Sequence, residues 1–307
     1  MKNHNVYWEF SRPFTLLMPA IGMLAGGIVA WGADPRAVSS WTGSGARILI
    51  NLAVGALMAA VMNAGSNGLN QIYDLEIDRI NKPERPLPSG RLGLREAWRF
   101  TAATMAAGLL MAWLVNWQCF ALAATAAVLT ACYSAPPART KRWGIPANIT
   151  VSIPRGFLLP VAGWSTVKTV AMPEPWLLAL PLGLFIFGAS STKDFSDIPG
   201  DRAGGCQTLP VKYGVRKTAL IIAPFFVFPF ALWALFAQMG YLSAPRPAIY
   251  ALSAVLPILG LYIDVRILAR PEELSSGENH ISWKLIYLMA IVAYAGLALI
   301  YGWPRSN

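Results

Sequence analysis

N-Q-I-Y-D-L-E-I-D-R-I-N-K-P-E-R-P-L-P-S-G, residues 70–90, is the stretch on which the reading of this chain turns. Asn70, Asp74 and Asp78 stand four apart. On a helix a step of four turns the side-chain direction by only about 40°, so these three oxygen-bearing groups share one face while Glu76 points away. Carboxylates gathered this way repel one another unless a cation or water sits among them. Arg79, Lys82 and Arg85 follow at once, with charge to neutralise phosphate oxygens. A second acidic stretch, K-D-F-S-D-I-P-G-D, occupies residues 193–201. Asp194, Asp197 and Asp201 have spacings that would share a helix face. Pro199 and Gly200 interrupt a helix there, so a turn is expected to present Asp201. Lys193 either contacts a phosphate or offsets the neighbouring carboxylates. Both clusters stand at the end of a long apolar run. Hard cations such as Mg2+ bind through one or two carboxylates plus substrate phosphates. Two carboxylate groups at membrane depth, flanked by basic residues, therefore predict a divalent-metal site for a polyanion.

The composition sets the surroundings. Of 307 residues, 55% are hydrophobic and 13% charged, and the mean hydropathy is +0.47. Those values exclude a disordered chain and predict an integral membrane protein. The first apolar run, residues 13–32, is about twenty residues long, enough to span a bilayer and too long for a signal-peptide core, so it is expected to be kept. Cys119, Cys132 and Cys206 are scattered without metal-ligand spacing and read as buried small residues.

Nine apolar segments follow one another, at 13–32, 48–69, 98–115, 117–134, 145–165, 176–192, 218–237, 248–265 and 283–302. No segment between them is long enough for a separate domain, so residues 1–307 are expected to form one all-helical bundle. The two motifs end even-numbered spans, which hints at a weak internal duplication. The fifth segment is interrupted by Pro146, Pro154, Arg155 and Pro160. Broken helices are tolerated at membrane depth where they line a cavity, so Arg155 is expected either at a site or as a snorkelling cation. With the N-terminus inside, the inside segments carry 19 Lys and Arg and the outside segments five, with Arg155 left over. This split places both acidic motifs, and the basic loop A-R-T-K-R-W at 138–143, on the cytoplasmic side. Topology accounts for most of the net charge of +10, and nothing points to nucleic acid. Asp264 is expected to pair with Arg266 or to mark the membrane boundary. Trp and Phe are read mostly as interfacial belts and packing, with a few available to line a tunnel.

W-E-F-S-R-P-F-T at 8–15, the 70–90 stretch, Y-S-A-P-P-A-R-T-K-R at 133–142 and K-D-F-S-D-I-P-G-D-R at 193–202 resemble the motifs of the UbiA-type superfamily of intramembrane prenyltransferases, over nearly the whole chain. The resemblance implies nine transmembrane helices around a central cavity with a cytoplasmic cap, in the cell inner membrane, with the active site opening to the cytoplasm. It implies Mg2+ as cofactor and transfer of a prenyl group from a prenyl diphosphate to a lipophilic or aromatic acceptor. Asn70, Asp74 and Asp78 match the first motif, and Asp197 and Asp201 the second, with Asp194 just upstream. Together they are the expected metal-binding set, and Asp74, Asp78, Asp197 and Asp201 the expected catalytic one. Substrate contacts are expected from Arg12, Lys82, Arg85, Tyr133, Arg139, Arg155 and Lys193. Pro199 departs from the family, in which the residue before the motif's Gly is often acidic.

Among acceptors, W-x-F-S-R-P-x-T, the N-Q-x-Y-D run and Arg155-Gly156 look most like homogentisate-type aromatic prenyltransferases. Y-S-A-P-P looks as much like chlorophyll synthases, and P-L-P-S-G-R and Q-T-L-P-V like the enzymes that geranylgeranylate glycerol-phosphate ethers. The leading expectation is an aromatic or quinone-precursor acceptor, with the ether lipid or a chlorophyllide as alternatives. A cation-coupled transporter is the reading from another class, but it would place its acids mid-span and show an inverted repeat. The charge split makes a direct prediction: in sealed vesicles of a cysteine-free background, single cysteines in 70–97 and 193–217 label only from the cytoplasmic face. Cysteines in 33–47 and at the C-terminus label only from the other face. Labelling of both motif loops from the outer face would reverse the orientation.

Overall fold

A computed structural model describes residues 3–33, 45–275 and 280–303, which form helices joined by short loops, with no β-strand among the described residues. Parts of the expected outer connection at 33–47 and of the C-terminus lie outside the described residues. Among the described residues, eight helices are long and apolar enough to cross a membrane: Pro13–Gly32, Gly45–Tyr73, Leu94–Val115, Trp117–Ser134, Pro173–Lys193, Val215–Gln238, Arg246–Ala269 and Ile281–Gly302. They coincide with eight of the nine apolar segments. In chain order the helical elements are α1 (Asn3–Ser11), α2 (Leu17–Gly32), α3 (Gly45–Tyr73), α4 (Leu75–Asn81), α5 (Leu94–Val115) and α6 (Trp117–Ser134). Then come α7 (Ile145–Ser152), α8 (Leu159–Ser165), α9 (Pro173–Ser190), α10 (Ile198–Ala203), α11 (Leu209–Tyr213) and α12 (Val215–Ile222). The last four are α13 (Pro224–Val227), α14 (Ala231–Gln238), α15 (Arg246–Ala269) and α16 (Ile281–Gly302).

The fifth segment is the exception, and its sequence explains it. α7 and α8 are joined without a gap by a π-helical stretch, Ile153–Leu158. Pro154 and Pro160 supply no N–H to the ladder, and the wider turn takes up the mismatch. The seventh segment is broken by the same cause. Pro224 and Pro229 divide it into α12, α13, a 3-10 turn and α14. Aromatic packing holds the pieces in line: Phe185 contacts both Phe226 and Phe230, and Phe230 contacts Trp233 edge-on. The Trp233 indole donates to the Leu178 carbonyl at 2.9 Å. At the tight joint between α5 and α6, Asn116 caps the new helix by accepting from Cys119 N at 2.8 Å.

Exposed tryptophans mark two levels. Trp8, Trp98 and Trp143 lie at the end of the bundle that carries the motifs, and Trp31, Trp113, Trp117 and Trp303 at the other. Indoles favour the membrane–water interface, so the two belts frame the bilayer.

Backbone contact between small residues sets the crossing of α2 and α8. A Cβ at Gly26 would run into the Pro160 carbonyl and stand 3.0 Å from the Gly163 Cα, and a Cβ at Gly163 would meet the Met23 carbonyl. Without a hydrophobic drive between helices in lipid, such close approach supplies the association through dispersion. Gly26→Val and Gly163→Val should each therefore destabilise the detergent-purified protein by about 1–3 kcal/mol or more through overpacking. A clear drop in Tm by tryptophan fluorescence is the expected result, and an unchanged Tm would mean that the helices do not meet there.

Candidate active site

The first motif straddles the end of α3. Asp74 closes that helix and opens α4, yet Asp74 N donates to the Asn70 carbonyl at 2.9 Å and Asp78 N to the Asp74 carbonyl at 2.7 Å. The four-residue period thus runs through the joint, and the three side chains keep a common face. Asn70 Nδ2 donates to Asp74 Oδ2 at 2.7 Å. Asp74 and Asp78 are buried, whereas Glu76 turns outward and pairs with Arg79 in solvent.

The second motif corrects one expectation. Asp201 lies in the first turn of α10, on a helix rather than a turn. Pro199 does not break that helix because it occupies its start, where a missing N–H costs nothing. The interruption falls earlier, between the 3-10 turn at Ser191–Lys193 and Asp197, so the three aspartates do not lie along one helix.

Cations tie the motifs face to face. Lys141 Nζ stands 2.6 Å from Asp74 Oδ2 and 3.2 Å from Asp201 Oδ1. Lys82 Nζ reaches Asp197 Oδ1 at 2.5 Å, and Arg85 holds both oxygens of Asp78 at 2.9 and 2.8 Å. Arg139 donates to the Tyr73 carbonyl at 3.1 Å and to Asp74 Oδ1 at 3.3 Å. Asn81 adds a neutral clasp, donating to the Asp197 carbonyl at 2.9 Å and accepting from Gly200 N at 2.8 Å. Lys141 and Asn81 were not among the expected site residues. Both lie inside the quoted motifs, but no spacing rule singles them out, because their partners are distant in sequence.

The charges in this layer are strongly perturbed. Burial works against the charge of Lys141, but Asp74 and Asp201 more than offset it and hold its pKa well above the ordinary value. Burial raises Asp197, yet Lys82 and Lys193 outweigh it and leave the carboxyl below its usual range. Asp201 is raised by burial despite Lys141. Asp194 is pushed up to about 7 by burial and then by Asp201.

The donor set is all oxygen, as a hard cation requires. Among the described residues, no three acidic, His or Cys side chains converge on one point, because basic side chains hold Asp74, Asp78 and Asp197. Asp201 differs. It is fully buried, and the Lys141 ammonium lies near but out of line, so both carboxylate oxygens lack a hydrogen-bond donor. An orphaned buried carboxylate beside Asp194 is what a divalent ion would relieve, and on that observation the residues fit one.

A cavity of about 190 Å3 opens from this layer into the bundle. Asn70, Lys193 and Asp194 line it from the motifs, together with Arg12, Tyr133 and Arg155 and an apolar wall that includes Met18, Ile186, Ile286 and Ala290. Of the expected substrate contacts, Arg12, Tyr133, Arg155 and Lys193 line the cavity, whereas Lys82, Arg85 and Arg139 are turned onto carboxylates. The position of Arg12 is built from α3. Gln71, Asn67 and Asn63, four apart, donate to the carbonyls of Phe10, Ser11 and Thr15 at 2.8, 2.9 and 3.0 Å. Their grip fixes the α1–α2 joint with Arg12 in the left-handed region at φ 58°. A smaller cavity of about 90 Å3, rich in methionine (Met23, Met58, Met62, Met105), shares Asn63, Thr130 and Arg155 with its wall. Asp264 does not pair with Arg266. It is buried with Oδ1 unpartnered, and Arg266 lies over the Tyr262 ring instead. Residues two apart on a helix do not face each other.

A cavity that meets charged motifs on one side and apolar residues on the other, among membrane-crossing helices, has the make-up to receive an amphiphilic molecule. Residues 20–286 match the UbiA prenyltransferase family, so the chain belongs to that family and is an intramembrane prenyltransferase. It is 33% identical to the digeranylgeranylglyceryl phosphate synthase of Methanopyrus kandleri over 264 residues, 83% of this chain and 89% of that one. It is 29% identical to the homogentisate phytyltransferase of a Synechocystis species over 250 residues, 78% of this chain and 79% of that one. The fold matches a UbiA homologue from Archaeoglobus fulgidus bound to GPP and Mg2+, with a TM-score of 0.69 at 22% identity, covering 95% of this chain and 99% of that one. Family membership decides against the transporter.

Lys141 gives the prediction for this layer. Lys141→Met leaves two buried carboxylates without their shared cation, a loss of about 3–5 kcal/mol. Its Tm should fall well below wild type, and adding Asp74→Asn should recover part of the loss. Equal Tm values in all three proteins would mean that the bridge carries no weight.

Proposed function

We propose that the protein transfers a prenyl group from a prenyl diphosphate to an aromatic or quinone-precursor acceptor, in the cell inner membrane, with its cavity opening to the cytoplasm. The observation that carries this reading is the meeting of two acidic motifs at a cavity that also presents an apolar wall. The 19-to-5 charge split supports the cytoplasmic opening. A second reading, transfer to a glycerol-phosphate ether lipid, is favoured by the identity to the Methanopyrus kandleri synthase.

In this reading Asn70, Asp74, Asp78, Asp194, Asp197 and Asp201 hold Mg2+. When bound, it supplies positive charge that makes diphosphate a better leaving group. Lys193, at the cavity wall, faces the phosphate oxygens, and Lys82, Arg85 and Arg139 stand behind it as further charge. As the donor's C1–O bond lengthens, negative charge grows on the diphosphate and allylic cation character on the prenyl carbon. The acceptor then attacks that carbon and loses a proton. The apolar wall around Ile186, Ile286 and Ala290 keeps out water that would capture the cation, and the isoprenoid tail occupies the same apolar space.

Activity with labelled geranylgeranyl diphosphate should require Mg2+ or Mn2+ and vanish with a chelator. Asp74→Asn, Asp78→Asn and Asp201→Asn should each lower kcat/KM by about a hundredfold or more while the protein still inserts. Near wild-type turnover in any two of them would reject the clamp.

A further inference from the structure

Residues 82–93 join α4 to α5 and carry Lys82 and Arg85, which hold Asp197 and Asp78. The loop is folded on itself. Ser89 N and Ser89 Oγ both donate to the Arg85 carbonyl, and Leu92 N donates to the Pro86 carbonyl. Leu87 and Leu92 are buried with Phe10 of α1, Ile72 of α3 and Ala97 of α5. Apolar burial is non-directional, so it holds the loop near α1 without setting its register. Arg91 supplies the direction. Its two terminal nitrogens reach Glu9 Oε2 and Oε1 of α1 at 2.6 Å each. The same guanidinium donates to the Glu84 carbonyl and, through Nε, to Ser89 Oγ at 3.1 Å. One side chain thus binds both limbs of the loop to the helix opposite. Hydrogen bonding to Arg91 holds the Glu9 carboxyl below the ordinary carboxylate range. The Glu9 carbonyl in turn accepts from Arg12 N at 3.0 Å, so the residue that Arg91 grips also anchors the bend at Arg12.

A half-exposed ion pair of ordinary geometry stabilises little, but a two-pronged pair within a network is the exception. Its place in the loop gives it a further consequence. Lys82 and Arg85 have to leave their carboxylates to serve a phosphate, and the loop's position then depends on contacts outside the site: Leu87, Leu92 and Arg91. Neither Glu9 nor Arg91 lines the two cavities, so any effect on the reaction passes through the residues they hold. We propose that Arg91 is a positioning residue for prenyl transfer: through Glu9, Glu84 and Ser89 it locks α1 and the 82–93 loop into one body, so that Lys82 and Arg85 meet the donor's diphosphate with their stems already placed. The inference rests on the prenyl-transfer reading and adds to it two residues that touch neither substrate.

The test measures steady-state kinetics of the purified full chain with geranylgeranyl diphosphate as donor and homogentisate or geranylgeranylglyceryl phosphate, whichever it uses, as acceptor. Arg91→Ala and Glu9→Ala should each raise the donor KM roughly fivefold and leave the acceptor KM within about twofold of wild type. The double variant should match Arg91→Ala, because both changes remove one contact. Arg91→Lys should recover part of the loss, since the charge returns without the fork. Arg95→Ala removes the same charge from the exposed start of α5 and should leave the donor KM unchanged. If Arg91→Ala fails to fold, Glu9→Gln and Arg91→Lys carry the same comparison.

A lowered Tm with wild-type kinetics in Arg91→Ala would overturn the proposal by leaving the contact a purely structural role. An equal rise in donor and acceptor KM, or the same rise in Arg95→Ala, would overturn it too, the latter by making net charge the cause. So would fully additive effects of the Glu9 and Arg91 changes. Failure of the underlying reading looks different: wild type gives no transfer to either acceptor and no Mg2+-dependent retention of labelled donor, which overturns both.

Discussion

The structure depends on a single ammonium group held between two chain segments that are far apart in sequence. Lys141 lies between Asp74 at the end of the second membrane span and Asp201 in the helix after the sixth. Buried ion pairs add little net stability, since removing charges from water costs nearly as much as their attraction returns. Their value here is in register. A displaced Lys141 would leave Asp201 buried without a cation and Asp74 with only Arg139 and Asn70, so arrangements in which the motifs fail to face each other are disfavoured. Lys82 and Asn81 repeat the constraint a turn further along, one by charge and one through two backbone hydrogen bonds. All three tethers end on the second motif, so the cytoplasmic loops are fixed to each other rather than only to their own spans.

The same carboxylates that hold the loops together are the ones that the family resemblance assigns to metal, and these two demands can be reconciled. Lysine and arginine reach their partners through long, flexible stems, so the cations can shift while the backbone stays. Asp201 shows that the basic residues do not complete the layer. Its two oxygens remain buried without a hydrogen-bond donor in line, near Asp194, whose carboxyl is pushed up to about 7 by burial and by Asp201. A layer in which most but not all carboxylates have partners is primed for additional positive charge and then for a polyanion.

Much of this was legible in the sequence, for reasons that differ by residue. The spans were readable because hydropathy over about twenty residues is a property of the segment itself. Asn70, Asp74 and Asp78 were readable because the helical period is local, and it survives even the break at Asp74. Arg155 stood out by being a charge among prolines. Lys141 and Asn81 did not, because a lysine in a basic loop looks like topology until the fold places two aspartates around it. The expectation of a turn at Asp201 failed on helix phase: Pro199 was read as an interruption, but it begins a new helix, where proline is favoured. The pairing of Asp264 with Arg266 failed on helix geometry, since sequence proximity at two residues is not spatial proximity.

The backbone of the first span follows from the second. The cavity wall needs the chain to enter the membrane through a sharp bend at Ser11–Pro13, and a bend at that depth exposes carbonyls that lipid cannot satisfy. Three amide side chains four apart on α3 accept that burden, and they lie next to the face that carries Asn70, Asp74 and Asp78. One helix therefore presents two polar stripes, one solving a backbone problem and the other forming the acidic motif. This explains why α3 is polar over its last three turns. It also ties Arg12 to the motif mechanically. Any shift of α3 that moves Asp74 moves the residues that hold Arg12, so the charged mouth and the interior arginine keep their spacing as one rigid unit.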